Sequence, residues 1–101
     1  MRMILTASLP HEPFNSLVRA GKAGTLLQEI LAQLKPEAVY FTEEHGLRGA
    51  ILIVDVADAS QIPFFAEPFF LKFNADCRFR IAMTPADLGK AGLDALGKQW
   101  Q

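Results

Sequence analysis

A single cysteine, Cys77, excludes an intrachain disulfide. A lone thiol fits a reducing compartment, and a cytoplasmic protein is the expectation. Neither sign of charge is in excess: 10 Lys and Arg face 11 Asp and Glu, for a net charge of −1. That balance leaves no electrostatic footprint for nucleic acid or for an anionic membrane. Long apolar runs are missing as well. The opening Met1-Arg2-Met3-Ile4-Leu5 reaches a polar residue at Thr6, too soon for a signal peptide or a membrane span. Only two histidines, His11 and His45, accompany the cysteine, so three convergent metal ligands are not expected. Lys22 and Gly24 follow Gly21 without a preceding strand, which excludes a phosphate loop. Repeats, linkers and low-complexity segments are absent.

What is present is apolar patterning. Half of the 101 residues are apolar, enough for one domain spanning 1–101 with a real core. Met3 to Leu9 reads as a strand stopped by Pro10. Apolar residues recur at helical spacing from Ala23 through Leu26, Leu27, Ile30 and Leu31 to Leu34. The pattern predicts a helix over 15–34 with Asn15 as N-cap, a weak or broken turn at Gly21 and Gly24, and an end at Pro36. Glu37 to Glu43 and Arg48 to Val56 read as two strands joined by the turn Glu44-His45-Gly46-Leu47. Asp58 and Pro63 open a second helix towards Phe73, in which Pro68 is expected to force a kink. Asp76 to Met83 is a strand. Thr84-Pro85-Ala86-Asp87 then opens one last helix, with Thr84 as N-cap.

The order is strand, helix, strand, strand, helix, strand, helix. Right-handed crossovers turn it into an α+β, ferredoxin-like βαββαβ fold with an antiparallel four-stranded sheet ordered 4-1-3-2 and an additional C-terminal helix. Strands one and three are nearly continuous apolar runs, as central strands are. Strand four alternates Arg78 and Arg80 with Cys77, Phe79 and Ile81, as an edge strand does. Helices can cover one face of such a sheet. Strand three is apolar on both, with Ile51 and Ile53 on one side and Leu52 and Val54 on the other. A second copy of the sheet is the simplest cover, so a homodimer is expected.

Three segments carry a resemblance: Ser8-Leu9-Pro10, Ile53-Val54-Asp55-Val56 and Glu67-Pro68-Phe69-Phe70-Leu71. Together they resemble the dimeric α/β-barrel superfamily, especially its muconolactone isomerase-like branch. The run Lys35 to Glu43 is similar to that of small bacterial members of unassigned function. The resemblance implies a homodimer with a pocket between each sheet and its helices. The superfamily includes cofactor-free isomerases and monooxygenases, haem enzymes and members with no known activity. No catalytic motif of these maps onto this chain residue by residue, and no cofactor is expected.

Five residues are candidates for lining a ligand pocket: His11, Tyr40, Glu67, Asn74 and Arg80. His11, in the first loop beside Glu12, is a possible general base, although a solvated loop histidine is the commoner case. Tyr40 and Thr42 share one side of strand two, and Arg78 and Arg80 one side of strand four. A guanidinium on an apolar face would hold a carboxylate or enolate, or else pair with Glu43 or Asp55 of a partner. Phe64, Phe65, Phe69, Phe70 and Phe73 crowd one segment, as core or as cavity lining. Glu67 and Asn74 flank the expected kink, and Glu67 beside the rings is a candidate acid–base group. Cys77 reads as an inert buried thiol. Two functions remain open: a non-catalytic homodimer that binds a small apolar or aromatic ligand, and a cofactor-free isomerase or monooxygenase acting on a small carbonyl compound.

Overall fold

The computed structural model describes residues 1–101. Strand β1 (Arg2–Leu9) is followed by helices α1 (His11–Arg19) and α2 (Ala23–Leu34). The hairpin β2 (Ala38–Glu44) and β3 (Leu47–Asp55) comes next, then α3 (Ile62–Phe73) and β4 (Asp76–Ile81). Two short helices, α4 (Pro85–Lys90) and α5 (Leu93–Gln99), end the chain. The four strands form one antiparallel sheet in the order β2-β3-β1-β4. The apolar β1 and β3 are central, and the alternating β2 and β4 are edges. This is an α+β arrangement compatible with a ferredoxin-like fold. No helix is long and apolar enough to cross a membrane.

One side of the sheet carries the core. Met3, Leu5, Ala7 and Leu9 of β1 pair across to Val54, Leu52, Ala50 and Arg48 of β3. Their apolar members are buried beneath Phe14 of α1, Ile30 and Leu34 of α2, and Phe65, Phe69 and Phe73 of α3. Leu5, Leu52 and Phe73 have no exposed surface. The Phe73 ring sits 5.3 Å from that of Phe14 and 6.3 Å from that of Phe69. The aromatic segment thus fills the space between sheet and helices instead of leaving it open.

The first helical region begins differently from its sequence reading. Asn15 does not cap it. Glu12 is extended (φ −112°, ψ 139°) and its Oε2 accepts bonds from the Ser16 N–H (3.3 Å) and Oγ–H (2.6 Å). The carboxylate reaches a first-turn N–H that Asn15, already inside the helix, cannot serve. Asn15 Oδ1 instead accepts a bond from Arg48 Nη1 at 2.7 Å. The expected break falls at Gly21, whose φ of +71° separates α1 from α2, while Gly24 lies within α2. The hairpin turns on His45 and Gly46, both with positive φ (52° and 80°), as a two-residue loop between twisted strands requires.

Pro68 does not end the helix. Helix α3 runs through it without interruption. Pro68 removes one bond, to the Phe64 carbonyl, but Phe64 is half exposed, on the side where water can take up the freed oxygen. The buried face of Phe65, Phe69 and Phe73 holds the helix against the sheet on both sides of Pro68. A second correction concerns the C-terminus. Thr84 and Asp87 form the expected reciprocal cap, with Asp87 N–H donating to Thr84 Oγ1 (3.1 Å) and Thr84 N–H to Asp87 Oδ2 (2.9 Å). The helix it opens stops after Lys90, and Gly92 (φ +71°) starts another.

Two outcomes follow from this packing. Phe73→Ala removes a ring with no exposed surface and lowers unfolding free energy by about 3–5 kcal/mol, read as a drop in urea midpoint at unchanged slope. The second concerns acid. Hydrogen bonds from Ser16, Ser60 and Thr84 hold the Glu12, Asp58 and Asp87 carboxyls below their ordinary values of 4.5, 3.8 and 3.8. On acidification the unfolded chain takes up these protons first. The stabilisation is complete above the ordinary values and is lost as pH falls through the lowered native ones. Urea midpoints should therefore be level from pH 7 to 5 and fall at pH 3.5. A midpoint that rises on acidification would contradict these caps.

Candidate functional site

Pleating sends alternate residues to the face of the sheet that α1, α2 and α3 leave open. The register arranges them in rows across the strands. One row is Ala38, Ile53, Ile4 and Arg80; the next is Tyr40, Ile51, Thr6 and Arg78; the third is Thr42, Gly49, Ser8 and Asp76. The middle of this face is apolar, through Ile4, Ile51 and Ile53. Its β4 edge is cationic.

The third row contains the opening that shapes the site. A side chain at Gly49 would place its Cβ 2.9 Å from Glu44 Cγ. Because Gly49 has none, the Glu44 side chain lies down across the sheet from the end of β2. Its Oε1 accepts a bond from Arg78 Nη2 at 2.8 Å, and Oε2 lies 3.3 Å from the same nitrogen. The ion pair thus links the two edge strands over β3 and β1. The Glu44 carboxylate is largely shielded, with 18% of its side chain exposed, whereas 65% of Arg78 is exposed. Beside the pair lies a depression of about 660 Å³ lined by Thr6, Glu44, Ile51, Arg78, Phe79 and Arg80. Thr6 at its floor is buried. Arg80 takes part in none of the four ion pairs, so its guanidinium is free to meet an anion.

The five residues singled out from sequence are dispersed. Tyr40 and Arg80 occupy the open face, on opposite edges. Glu67 is exposed on α3, at the rim of a groove of about 450 Å³ between α2 and α3 that Leu26, Ile30, Phe64 and Leu71 make apolar. That groove is on the far side of the molecule from the open face. Asn74 takes the left-handed conformation (φ +57°) that ends α3, a position where asparagine is tolerated for backbone reasons. His11 is exposed at the start of α1. Both lie at the sheet end where β1 finishes and β4 begins.

Other expectations resolve locally. Arg78 pairs with Glu44 of its own chain. Glu43 Oε2 accepts a bond from the Gly46 N–H at 2.8 Å, and Asp55 lies 3.0 Å from the Met1 amino nitrogen. Burial, followed by the charge of Asp76, pushes the Cys77 thiol up to about 11, which leaves it protonated and unreactive near neutrality. No three His, Cys, Asp or Glu side chains come together in a metal-binding arrangement. The residues that sequence reading missed are Thr6, Glu44 and Gly49. Their signal was the hairpin register, which sets Thr42 opposite Gly49 and leaves room for the next residue on that side of β2, Glu44. No protein-family model matches the chain, and no curated protein is significantly similar to it.

Proposed function

We propose that this chain is a cytoplasmic homodimer of the dimeric α/β-barrel type that binds a small apolar or aromatic ligand bearing an anionic or carbonyl group. The observation that carries this reading is the open sheet face, where a half-buried apolar centre adjoins a cationic edge. Ile4, Ile51 and Ile53 gain by leaving water, at about 1.5–3 kcal/mol for each side chain fully buried. Two-fold symmetry lets one patch cover its own copy. The depression beside Glu44 and Arg78 would then be roofed by the second sheet. Ile51 and Tyr40 suit an apolar or aromatic body. Arg80 suits a carboxylate or a polarised carbonyl oxygen, since a guanidinium presents paired donors to such a group. The space between sheet and helices is less suited to a ligand, because Phe14, Phe65, Phe69 and Phe73 fill it.

The pairing is checked by sedimentation equilibrium. The unmodified chain should be a dimer at low micromolar concentration. Ile53→Glu, which places a charge in the central row, should give a folded monomer. A soluble, folded monomer for the unmodified chain would remove the basis of the proposal.

Ligand binding is checked by titrating the isotope-labelled chain with benzoate and, separately, with phenol. Saturable amide shifts are expected at Thr6, Ile51 and Arg80, larger with benzoate. Arg80→Ala should weaken benzoate at least tenfold, as loss of a charge-assisted hydrogen bond does, while phenol changes little. Shifts confined to the α2–α3 groove, or none with either probe, would count against the open face as the site.

A further inference from the structure

The last helices bury no side chain against the rest of their own chain. Neither α4 nor α5 has a buried residue. Leu88, Leu93, Leu96 and Trp100 are exposed, Trp100 to 77%. The molecule measures 60 × 27 × 20 Å with a radius of gyration of 17.1 Å, where a compact chain of this length has about 13 Å. Its accessible surface is 6874 Å², and a compact monomer of this mass exposes about 5,700 Å². The excess is roughly 1,200 Å² on that same scaling. An arm therefore stands off the body.

The arm is nonetheless well formed. Thr84 and Asp87 cap α4 reciprocally, and Gly92 provides the left-handed turn into α5. Leu93, Leu96 and Trp100 follow one another at intervals of three and four, a stripe along one side of α5, and Asp94 and Lys98 lie off it. Helices of six and seven residues do not persist alone in water. The stripe calls for an apolar surface.

Resting on the sheet pairing proposed above, we infer that the arm clasps the second copy of the chain, laying Leu93, Leu96 and Trp100 against it where the two sheets end. Continuity points to this occupant. Met83 and Asp87, at the root of the arm, share a depression with Arg2 and Asp55, which are the last row of the open face. A molecule seated on that face is within reach of the arm. Area points the same way. Four strands and seven residues make the face roughly 19 by 23 Å, or about 440 Å² in plan, against about 800 Å² per partner in a standard interface. The arm supplies the difference. Its charges cancel, Asp87 and Asp94 against Lys90 and Lys98, so it does not select a lipid headgroup or a phosphate backbone. Each protomer gives and receives one arm, and the two-fold closes the exchange.

Trp100 is the only tryptophan, so its fluorescence reports on the arm alone. Emission and iodide quenching are followed while the unmodified chain is diluted through its dimer–monomer transition, with the same samples in the centrifuge. In the dimer, emission should move to shorter wavelength and quenching should fall severalfold. The double variant Leu93→Glu, Leu96→Glu should weaken the dimer at least tenfold while the amide shifts of β1 to β4 stay in place. A dimer whose Trp100 remains solvent-exposed, and whose affinity ignores that variant, overturns the arm exchange and leaves the sheet pairing standing. A monomer at all concentrations overturns both. A blue shift that appears only with anionic phospholipid vesicles overturns the exchange in favour of a lipid surface.

Discussion

A sheet has two faces, and this chain has helices enough for one. β3 sits between β2 and β1 and is apolar on both sides, so burying Leu52 and Val54 leaves Ile51 and Ile53 only partly buried opposite them. A one-residue slip of register would exchange the two sets without relieving either face. The central position of β3 follows from the hairpin with β2 and the crossover that brings β1 beside it. The edge position of β4 then follows, and with it the cationic border of the open face. The candidate site, the proposed pairing and the unattached arm all trace to this shortage of cover.

The ion pair on that face does little for stability. With its arginine exposed to solvent, a surface pair such as Arg78 and Glu44 is worth about 0–1 kcal/mol. Roofed by a second sheet, the same pair would lose water and would need further hydrogen bonds to break even. Gly49 gives up a side chain on an otherwise packed strand to admit Glu44. The arrangement therefore makes better sense as polarity positioned on an apolar face than as a fastening. It occupies Arg78, while the Arg80 guanidinium is left without an ionic partner. Two like charges two residues apart on one edge strand, one neutralised and one free, suit the capture of a single anionic group.

Elements defined by local chemistry were legible in the residues. The strand order followed from the element order with right-handed crossovers, and the runs that were apolar throughout agreed with it. The Thr84 cap followed from a four-residue pattern whose bonds are all local. Readings failed where the deciding partner was distant or on the other side of the backbone. Asn15 looks like a cap until Arg48, from β3, is seen to hold its oxygen. Pro68 looks like a break until the three buried phenylalanines around it are seen to fix the helix to the sheet. Strand alternation put Tyr40 on one side of its strand and Arg80 on one side of its own, and both sides belong to the open face. Glu44 and Gly49 were missed because their relation depends on cross-strand register, which alternation along one strand does not reveal. Glu67 and Asn74 were grouped around Pro68, but α3 continues through it, with Glu67 on its exposed side and Asn74 at its end.

The arm and the open face are two adjoining places where apolar patterning goes unmet within the chain. That adjacency restricts what can satisfy them. A flat apolar object would cover the sheet and leave the stripe of α5 in water; a groove for a helix would take the stripe and leave the sheet. A cover for both must present a flat face of strand width together with a surface beside it that accepts a short helix, in the same relative placement. The chain itself has that flat face, and in the proposed pairing a two-fold rotation would put it opposite its own copy with the arm of each at the end of the other. The same geometry would shut the depression beside Arg80 from bulk water, and a guanidinium in such an enclosure discriminates between anionic and neutral ligands more strongly than it does on an open surface.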